Sequence, residues 1–225
     1  MGQRAGQSRL EQRKAKRRQE ILAVAAQLFR TRGYDGTTAD AIAEAVHLTK
    51  SALYTYVGSK EEIAVLLLQE VVRALLADAA AIDARPITPQ EKIRDLIVRH
   101  VVVVGHHPAS SLLFLHSEHM LSPEKYPHLY ALRDQYEGYW RRWIHQAQEM
   151  RAIDVRSEKI AGWLILGSLN WVIRWFSPAG PFSAEDIGEE FARILLRGLG
   201  AQDGNSEGET HHVVDRGAVR HSRVD

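Results

Sequence analysis

The chain has 225 residues, of which 45% are hydrophobic and 25% charged, and it contains no cysteine. This composition is ordinary for a folded protein and excludes collagen-like, wholly disordered and disulfide-stapled classes. The lack of cysteine also excludes thiol catalysis, iron–sulfur clusters and thiolate zinc sites. No apolar run reaches the roughly 18–20 residues that span a bilayer, and the basic N-terminus lacks the apolar core of a secretory signal. We therefore expect a cytoplasmic protein.

The formal net charge of +1 is unevenly distributed along the chain. Residues 1–60 carry a balance of +6, whereas residues 61–225 carry −5. A small basic unit followed by a mildly acidic remainder indicates that only the first unit meets a polyanion. Charge alone leaves one alternative open, namely a solvated basic arm without a partner.

Apolar residues recur at helical spacing almost throughout, which predicts an all-α protein. Capping-box sequences at Ser59 and Thr88 mark two helix starts, and the second has proline at its first helical position. The run 101–104 has β-branched strand character but would lack a strand partner, so we predict a helix there. In chain order the helices are expected at about 13–32, 38–46, 49–56, 60–81, 89–104, 109–119, 123–150, 157–176 and 184–199.

Residues 38–56 have the dimensions of a helix-turn-helix, whose second helix enters the major groove of DNA. Small hydroxyls and a cation stand at the start of that helix, and phenols follow where it would cross the backbone. The candidate DNA contacts are Thr49, Lys50, Ser51, Tyr54, Tyr56 and, at the start of the next helix, Lys60. Basic residues of the first helix extend this surface toward phosphates or a minor groove, namely Arg13, Lys14, Lys16, Arg17 and Arg18.

One gapless string of about 48 residues resembles the N-terminal domain of the tetracycline-repressor (TetR) family. It reads F-x-x-x-G-Y-x-G-T-T-x-x-x-I-A from Phe29 and L-T-x-x-x-L-Y-x-Y-x-x-S-K-E from Leu48. The resemblance implies that this domain binds operator DNA and that the rest of the chain is a dimeric ligand-binding domain. It adds Thr38 to the positions expected to contact DNA. Two recognition helices of a dimer would read a roughly palindromic operator.

Two residues depart from the family pattern. His47 stands where the turn usually has glycine, and Val57 stands where phenylalanine is usual. Histidine tolerates left-handed backbone angles better than most residues, so the turn can still form. Valine has a smaller side chain than phenylalanine, so it fills less of the space between the helices.

We divide the chain into four parts on these grounds. Residues 1–12 are expected to be a disordered basic arm, 13–60 the helix-turn-helix domain and 61–200 the ligand-binding and dimerisation domain. Residues 201–225 are polar and nearly free of large hydrophobic residues, so burial cannot offset their ordering entropy and we expect a disordered tail.

The last two helices are the dimerisation candidates. The helix over 184–199 carries a wide apolar stripe, and Gly162, Gly167 and Ser168 in the preceding helix allow close approach. The resemblance implies that both helices pair with their symmetry mates in a four-helix bundle. The alternative is that both stripes face the core of their own protomer.

All five tryptophans lie between 140 and 175, which suits the walls of an apolar pocket as well as an ordinary core. Asn170, Trp171, Arg174 and Trp175 are predicted to share one side of a helix, with Trp140 as a further pocket residue. Burying an arginine requires a partner, so Arg174 reaches solvent, pairs with an acid or awaits an anionic ligand. The Asn-Trp-x-x-Arg-Trp string resembles TetR-family regulators of lipid and steroid-ring breakdown, which sense acyl-coenzyme A thioesters. That resemblance implies that Arg174 faces phosphate or carboxylate and that both indoles flank the acyl chain or adenine.

Other chemistry has little support. His116, Glu118 and His119 could begin a metal site, although structural or solvent-facing histidines are the alternative. No nucleophile–base motif, phosphate loop or acid pair is present, so we expect neither an enzyme nor a cofactor. The prediction is a dimeric TetR-like repressor released from its operator by a small molecule, with an acyl-coenzyme A thioester as first candidate. A generic hydrophobic or aromatic effector and an effector-independent DNA-binding protein are the alternatives.

Overall fold

The computed structural model describes residues 2–116 and 121–200, and within those ranges every regular element is helical. The predicted all-α fold is therefore confirmed. In chain order the helices are α1 (Gly2–Arg32), α2 (Ala39–Ala45), α3 (Lys50–Val57), α4 (Lys60–Asp83), α5 (Pro89–His106), α6 (Pro108–His116), α7 (Pro127–Glu149), α8 (Glu158–Trp171) and α9 (Ala184–Gly198). A 3₁₀ turn, Val172–Arg174, follows α8 directly. Among the described helices, none combines the length and the apolar character that a membrane span requires.

Hydroxyl side chains cap the N-termini of most of these helices. Each accepts a hydrogen bond from the backbone N–H three residues farther on, which satisfies a donor that the helix itself leaves free. At Thr88 and Ser183 the capping box is complete, because the carboxylate three residues on accepts from the N–H of the cap. The capping residues are Thr38, Thr49, Ser59, Thr88, Ser157 and Ser183.

Two hydrophobic cores meet along α4. The first half of that helix, including Ile63 and Leu67, packs with α1, α2 and α3. Its second half, including Leu75 and Ala79, packs with α5, α7, α8 and α9. The N-terminal core also takes Leu113 of α6, so the second domain reaches into the first. The predicted boundary after residue 60 therefore lies at the start of a helix that both domains share.

Three helix bounds differ from the prediction. Helix α1 begins at Gly2, where a disordered arm over 1–12 was expected; this segment has no proline, and its Gln, Arg and Glu residues extend a helix readily. Helix α7 begins at Pro127 rather than near residue 123, because a proline disfavours helical backbone angles in the residue that precedes it, here Tyr126. Helix α8 ends at Trp171 and tightens into the 3₁₀ turn, rather than continuing to residue 176. The predicted tail, 201–225, lies outside the described residues.

Candidate DNA-binding and effector-binding sites

The helix-turn-helix frame is held by its own backbone and caps. Thr38 Oγ1 and Thr49 Oγ1 each accept a hydrogen bond at 3.1 Å, from the N–H groups of Ala41 and Ala52. Between the helices, His47 adopts a left-handed φ of 54°, as expected for the position where the family usually has glycine. Leu53 is fully buried beneath the second helix, so the opposite face of α3 turns outward.

The outward face of α3 carries the predicted hydroxyl and phenol groups. Thr49, Ser51 and Tyr54 are exposed, and Tyr54 exposes 38% of its surface. Lys50 is also exposed, and its ammonium lies 2.9 Å from the carboxylate of Asp40 on α2. The hydrogen bond and the charge of Asp40 raise the pKa of Lys50. The face thus offers neutral donors together with a cation that is already partly neutralised.

Lys60, at the start of α4, is half-buried against the loop that precedes α2. Its ammonium donates to the carbonyl oxygens of Tyr34 and Thr37, each at 3.0 Å, and lies 4.1 Å from the centre of the Tyr34 ring. Two of its three N–H groups are therefore used within the domain, and one remains for a phosphate. Burial raises the pKa of Tyr34 to about 12, so this phenol stays neutral at physiological pH.

The basic residues of α1 brace the helix-turn-helix. The Arg17 guanidinium donates to the Val46 carbonyl at 2.6 Å, and the Arg18 guanidinium donates to the Tyr56 carbonyl at 3.0 Å. These bonds hold the turn after α2 and the end of α3 against α1. Tyr56 is half-buried and packs against the N-terminal core, so less of its ring is exposed than that of Tyr54.

The predicted ligand cluster divides into an inner and an outer part. Trp171 and Trp175 are 56% and 51% exposed, and the Arg174 guanidinium lies 5.5 Å from the centre of the Trp171 ring. Asn170, by contrast, points into the domain, where its Oδ1 lies 3.3 Å from His100 Nε2. The prediction that Asn170 shares one side with the other three is therefore wrong. Adjacent helical residues differ by about 100° in direction, and the 3₁₀ turn changes the phase after Trp171.

A buried chain of polar groups lies behind Asn170. His100 is fully buried, and its Nδ1 lies 2.9 Å from the Tyr136 hydroxyl. Burial lowers the pKa of His100 to about 4 and raises that of Tyr136, so both groups are neutral near pH 7. None of these contacts of His100 was predicted from the sequence. The available signal was a histidine at an inward position of the otherwise apolar stripe of α5.

Two hollows adjoin this network. The larger one is a cleft of about 400 Å³ between α7 and α8, lined by Trp140, Arg141 and Lys159 among others. The smaller one is an open hollow of about 60 Å³ next to His100, Tyr136 and Asn170. Glu137 and Leu166 line both hollows, so these two side chains form the partition between them.

Apolar side chains are exposed along one face of α8 and α9, which we call the α8–α9 face. Ile160, Leu164 and Ile194 expose 52–62% of their surface. Gly167, on the same stripe of α8, has nothing within 4 Å of where a Cβ would stand. Exposed apolar groups beside a small residue are typical of a protein–protein contact.

The residues that the structure describes include no cluster of three or more His, Asp or Glu side chains able to hold a metal ion. Glu118 and His119 of the predicted metal site lie outside the described residues.

Two family models match the chain, one for each domain. The model of bacterial regulatory proteins of the tetR family matches residues 21–67, and that of the tetracyclin repressor-like C-terminal domain matches residues 86–199. The chain belongs to the TetR family. It is thus a transcriptional regulator, with the N-terminal helix-turn-helix and C-terminal helical domain that the sequence analysis predicted.

Relatives within the TetR family are also regulators rather than enzymes. The transcriptional repressor KstR2 of Mycobacterium tuberculosis is 25% identical over 185 residues, which are 81% of this chain and 92% of the relative. The crystal structure of PfmR, a TetR-family regulator of Thermus thermophilus, has a TM-score of 0.72 and 33% identity, covering 80% of this chain and 98% of that one. A structure of AibR in complex with isovaleryl coenzyme A and operator DNA has a TM-score of 0.70 at 24% identity, with coverage of 80% and 98%.

Proposed function

We propose that this TetR-family regulator is a homodimeric repressor that binds a palindromic operator and is released from it by a small-molecule effector. The observation that carries the proposal is the outward face of α3, where exposed hydroxyl and phenol groups stand over a buried Leu53. In this proposal α3 lies in the major groove. The residues that contact bases or phosphates are Thr38, Thr49, Lys50, Ser51, Tyr54, Tyr56 and Lys60.

A second copy of the chain covers the α8–α9 face in this proposal. One helix-turn-helix provides only a modest contact area with DNA, so a pair of recognition helices one helical turn apart is needed for affinity. Pairing α8 and α9 with their symmetry mates would bury Ile160, Leu164 and Ile194 in a four-helix bundle. Gly167 would allow the two copies of α8 to approach closely.

Release from DNA follows from linkage between the two domains. Leu113 of α6 packs in the N-terminal core, so a movement of α6 shifts the base of the helix-turn-helix. The effector is expected to bind more tightly to a dimer whose recognition helices no longer match the spacing of the two half-sites. Operator affinity then falls by the ratio of the effector's affinities for the two dimer geometries.

The first candidate effector is an acyl-coenzyme A thioester. Its support comes from the Asn170–Trp175 string and from the AibR complex with isovaleryl coenzyme A. In this proposal the exposed Arg174, Trp171 and Trp175 contact phosphate or adenine at the surface. Trp140 and Asn170, which lie inside, line the space for the acyl group.

A generic hydrophobic effector is the second candidate. The smaller hollow has apolar walls at Leu75, Phe114 and Leu166 beside its polar residues. Arg141 at the larger cleft is already paired, since its guanidinium lies 3.1 Å from the Asp134 carboxylate. A phosphate group would have to compete with that ion pair, whereas a neutral ligand would not.

The test uses the purified full chain and a fluorescent duplex from the region upstream of its own gene. We expect a dimer in solution, a salt-dependent preference for an inverted repeat over a scrambled duplex, and release on addition of isovaleryl-coenzyme A. Release by aromatic acids or drug-like amphiphiles instead of the thioester would support the second candidate. A protein that stays monomeric and does not distinguish the two duplexes contradicts the proposal.

A further inference from the structure

The positive charge of the DNA-binding domain is concentrated at its N-terminal end. Residues 1–19 contain seven Lys and Arg residues and one acidic residue, so their net charge is +6. Residues 20–60, which include both helices of the helix-turn-helix, contain four basic and four acidic residues and have no net charge. Sequence-independent binding to DNA depends on cations that neutralise phosphates. The helix-turn-helix taken alone therefore supplies little of that attraction.

The two lysines of the proposed reading surface are, in addition, engaged within the domain. The Lys50 ammonium lies 2.9 Å from the Asp40 carboxylate, and the Lys60 ammonium donates to two backbone carbonyl oxygens. A phosphate has to compete with the carboxylate for Lys50 and finds one N–H group at Lys60. Most of the attraction for a polyanion must then come from α1.

Residues 10–19 of α1, which we call the basic segment, precede the first core residue of that helix, Ile21. The guanidinium groups of Arg17 and Arg18 brace the helix-turn-helix, as described above. The other basic side chains of the segment are exposed, and in the part of the chain that the structure describes they have no hydrogen-bond or ion-pair partner. These unpaired cations are Arg13, Lys14 and Lys16.

One of these cations lies next to the proposed recognition helix. Lys14 and Arg18 of α1 line a hollow of about 210 Å³ together with Thr55 and Tyr56, at the end of α3. Arg18 uses its Nε on the Tyr56 carbonyl, and its two terminal nitrogens bind no other described residue. Glu11 also lines the hollow, so two positive charges stand against one negative charge. A phosphodiester, with its single negative charge, complements this balance.

The composition of the basic segment favours a duplex over a lipid surface or a partner helix. Leu10 is its single large apolar side chain. Helices that lie on a membrane or pack against another helix need an apolar stripe along their length. The hollow is also continuous with α3, so a duplex that receives α3 in its major groove brings its backbone to the same place.

We propose that the basic segment is a second DNA contact, in which Lys14 and Arg18 bind one phosphate beside the bases that α3 meets. Arg13 and Lys16 increase the positive potential around this contact. The contact reads no base edges, so it raises the affinity for every duplex by a similar factor. This inference rests on the proposed binding of operator DNA and assigns the sequence-independent part of that binding to α1.

The test compares Lys14→Gln with the unaltered full chain over a series of salt concentrations. Fluorescence anisotropy measures binding to the inverted-repeat duplex from upstream of the gene and to a scrambled duplex. The substitution removes two phosphate contacts per dimer, so the slope of log affinity against log salt should become shallower by about 2. Both affinities should fall about 10-fold at moderate salt, and the ratio between the two duplexes should stay the same.

Three further variants serve as controls. Lys14→Arg keeps the charge and should retain both the slope and the affinity. Arg156→Gln removes the same charge from an exposed position between α7 and α8, and should leave the binding of both duplexes unchanged. Tyr54→Ala should lower the preference for the inverted repeat, because it removes a proposed contact of the reading face. The melting temperature of Lys14→Gln should be retained, since Lys14 has no partner among the described residues.

An unchanged salt slope in Lys14→Gln would overturn the inference. A reduced preference for the inverted repeat in that variant would also overturn it, because α1 would then read bases, for example in a minor groove. Loss of the dimer in Lys14→Gln would mean that the segment contacts a second copy of the chain instead. If the unaltered chain prefers the inverted repeat and the slope does not change in the variant, the proposed function stands and only the α1 contact is lost. A chain that binds neither duplex contradicts both proposals.

Discussion

Acidification from pH 7 to pH 4.5 should destabilise the fold through His100. The pKa of this histidine falls from its ordinary 6.5 to about 4, because complete burial disfavours the charged imidazolium. Its folded-state pKa is below the unfolded value, so its contribution to stability is fully present above pH 6.5. That contribution decreases as the pH falls toward 4, since the unfolded chain binds a proton that the folded chain does not.

The expected size follows from the same two values. Each pKa unit between the folded and unfolded states corresponds to 1.36 kcal/mol, so lowering the pH from 7 to 4.5 should remove about 2–3 kcal/mol per protomer. The assay is urea denaturation at both pH values and at one fixed protomer concentration, because dimerisation makes apparent stability depend on concentration. The perturbation is His100→Gln, which keeps a polar side chain but cannot titrate.

The quantity to compare is the change in the free energy of unfolding between the two pH values. The absolute stability of His100→Gln is not informative, because the variant loses packing as well as a proton site. Its loss of stability between pH 7 and 4.5 should be about 2–3 kcal/mol smaller than that of the unaltered chain. His145→Gln is the matched control with the opposite sign. The hydrogen bond to Glu158 raises the pKa of His145, so its contribution is present at low pH and removing it should make the acid-induced loss larger. An identical pH dependence in His100→Gln and the unaltered chain would refute the reasoning.

Three further predictions concern the DNA contact, the dimer and the link between the domains. Tyr54→Ala should weaken operator binding about 10-fold, with the dimer and the melting temperature retained, because Tyr54 is exposed; unchanged affinity in fluorescence anisotropy removes its assigned contact. If the α8–α9 face is the dimer interface, Leu164→Glu places a charge in it and should shift the chain to monomers in analytical ultracentrifugation. A dimer that persists in this variant would mean that the interface lies elsewhere. The Tyr126 hydroxyl donates to the Glu61 carboxylate at 3.1 Å. A double-mutant cycle of Tyr126→Phe and Glu61→Gln, measured by urea denaturation, should therefore give a coupling free energy of about 0.5–1.5 kcal/mol. A value near zero means that this bond does not join the domains.

Local chemistry allowed most of the fold to be predicted. Helix starts at Thr49, Ser59 and Thr88 depend on a side chain and the N–H three residues on, and both are visible in the sequence. The left-handed turn at His47 follows from the same kind of short-range argument. Partners distant in sequence were not predictable in this way. Lys60 is 26 residues from Tyr34, whose carbonyl it binds, and nothing in the spacing of the residues indicates that bond.

The helical periodicity of α8 also does not show which of its apolar residues face the protomer's own core and which face outward. An apolar stripe that faces a second copy of the chain has the same composition as one that faces the protomer's own core, because both remove apolar area from water. Ile165 and Leu164 are neighbours of similar character, yet Ile165 is fully buried and Leu164 is 55% exposed. Only the packing of α8 against α5 and α7 separates them.

The buried polar network of His100 shows the same limit of sequence reasoning. A histidine inside an apolar stripe must find hydrogen-bond partners, because an unpaired buried polar group costs several kcal/mol. The sequence thus implied that His100 has partners, but Tyr136 and Asn170 lie 36 and 70 residues away and were not identifiable as those partners. Once they are known, the direction of the hydrogen bonds follows, because a neutral imidazole has one donor and one acceptor. The family pattern near the N-terminus therefore identifies the helix-turn-helix, whereas the polar network of His100 consists of contacts that only the folded chain brings together.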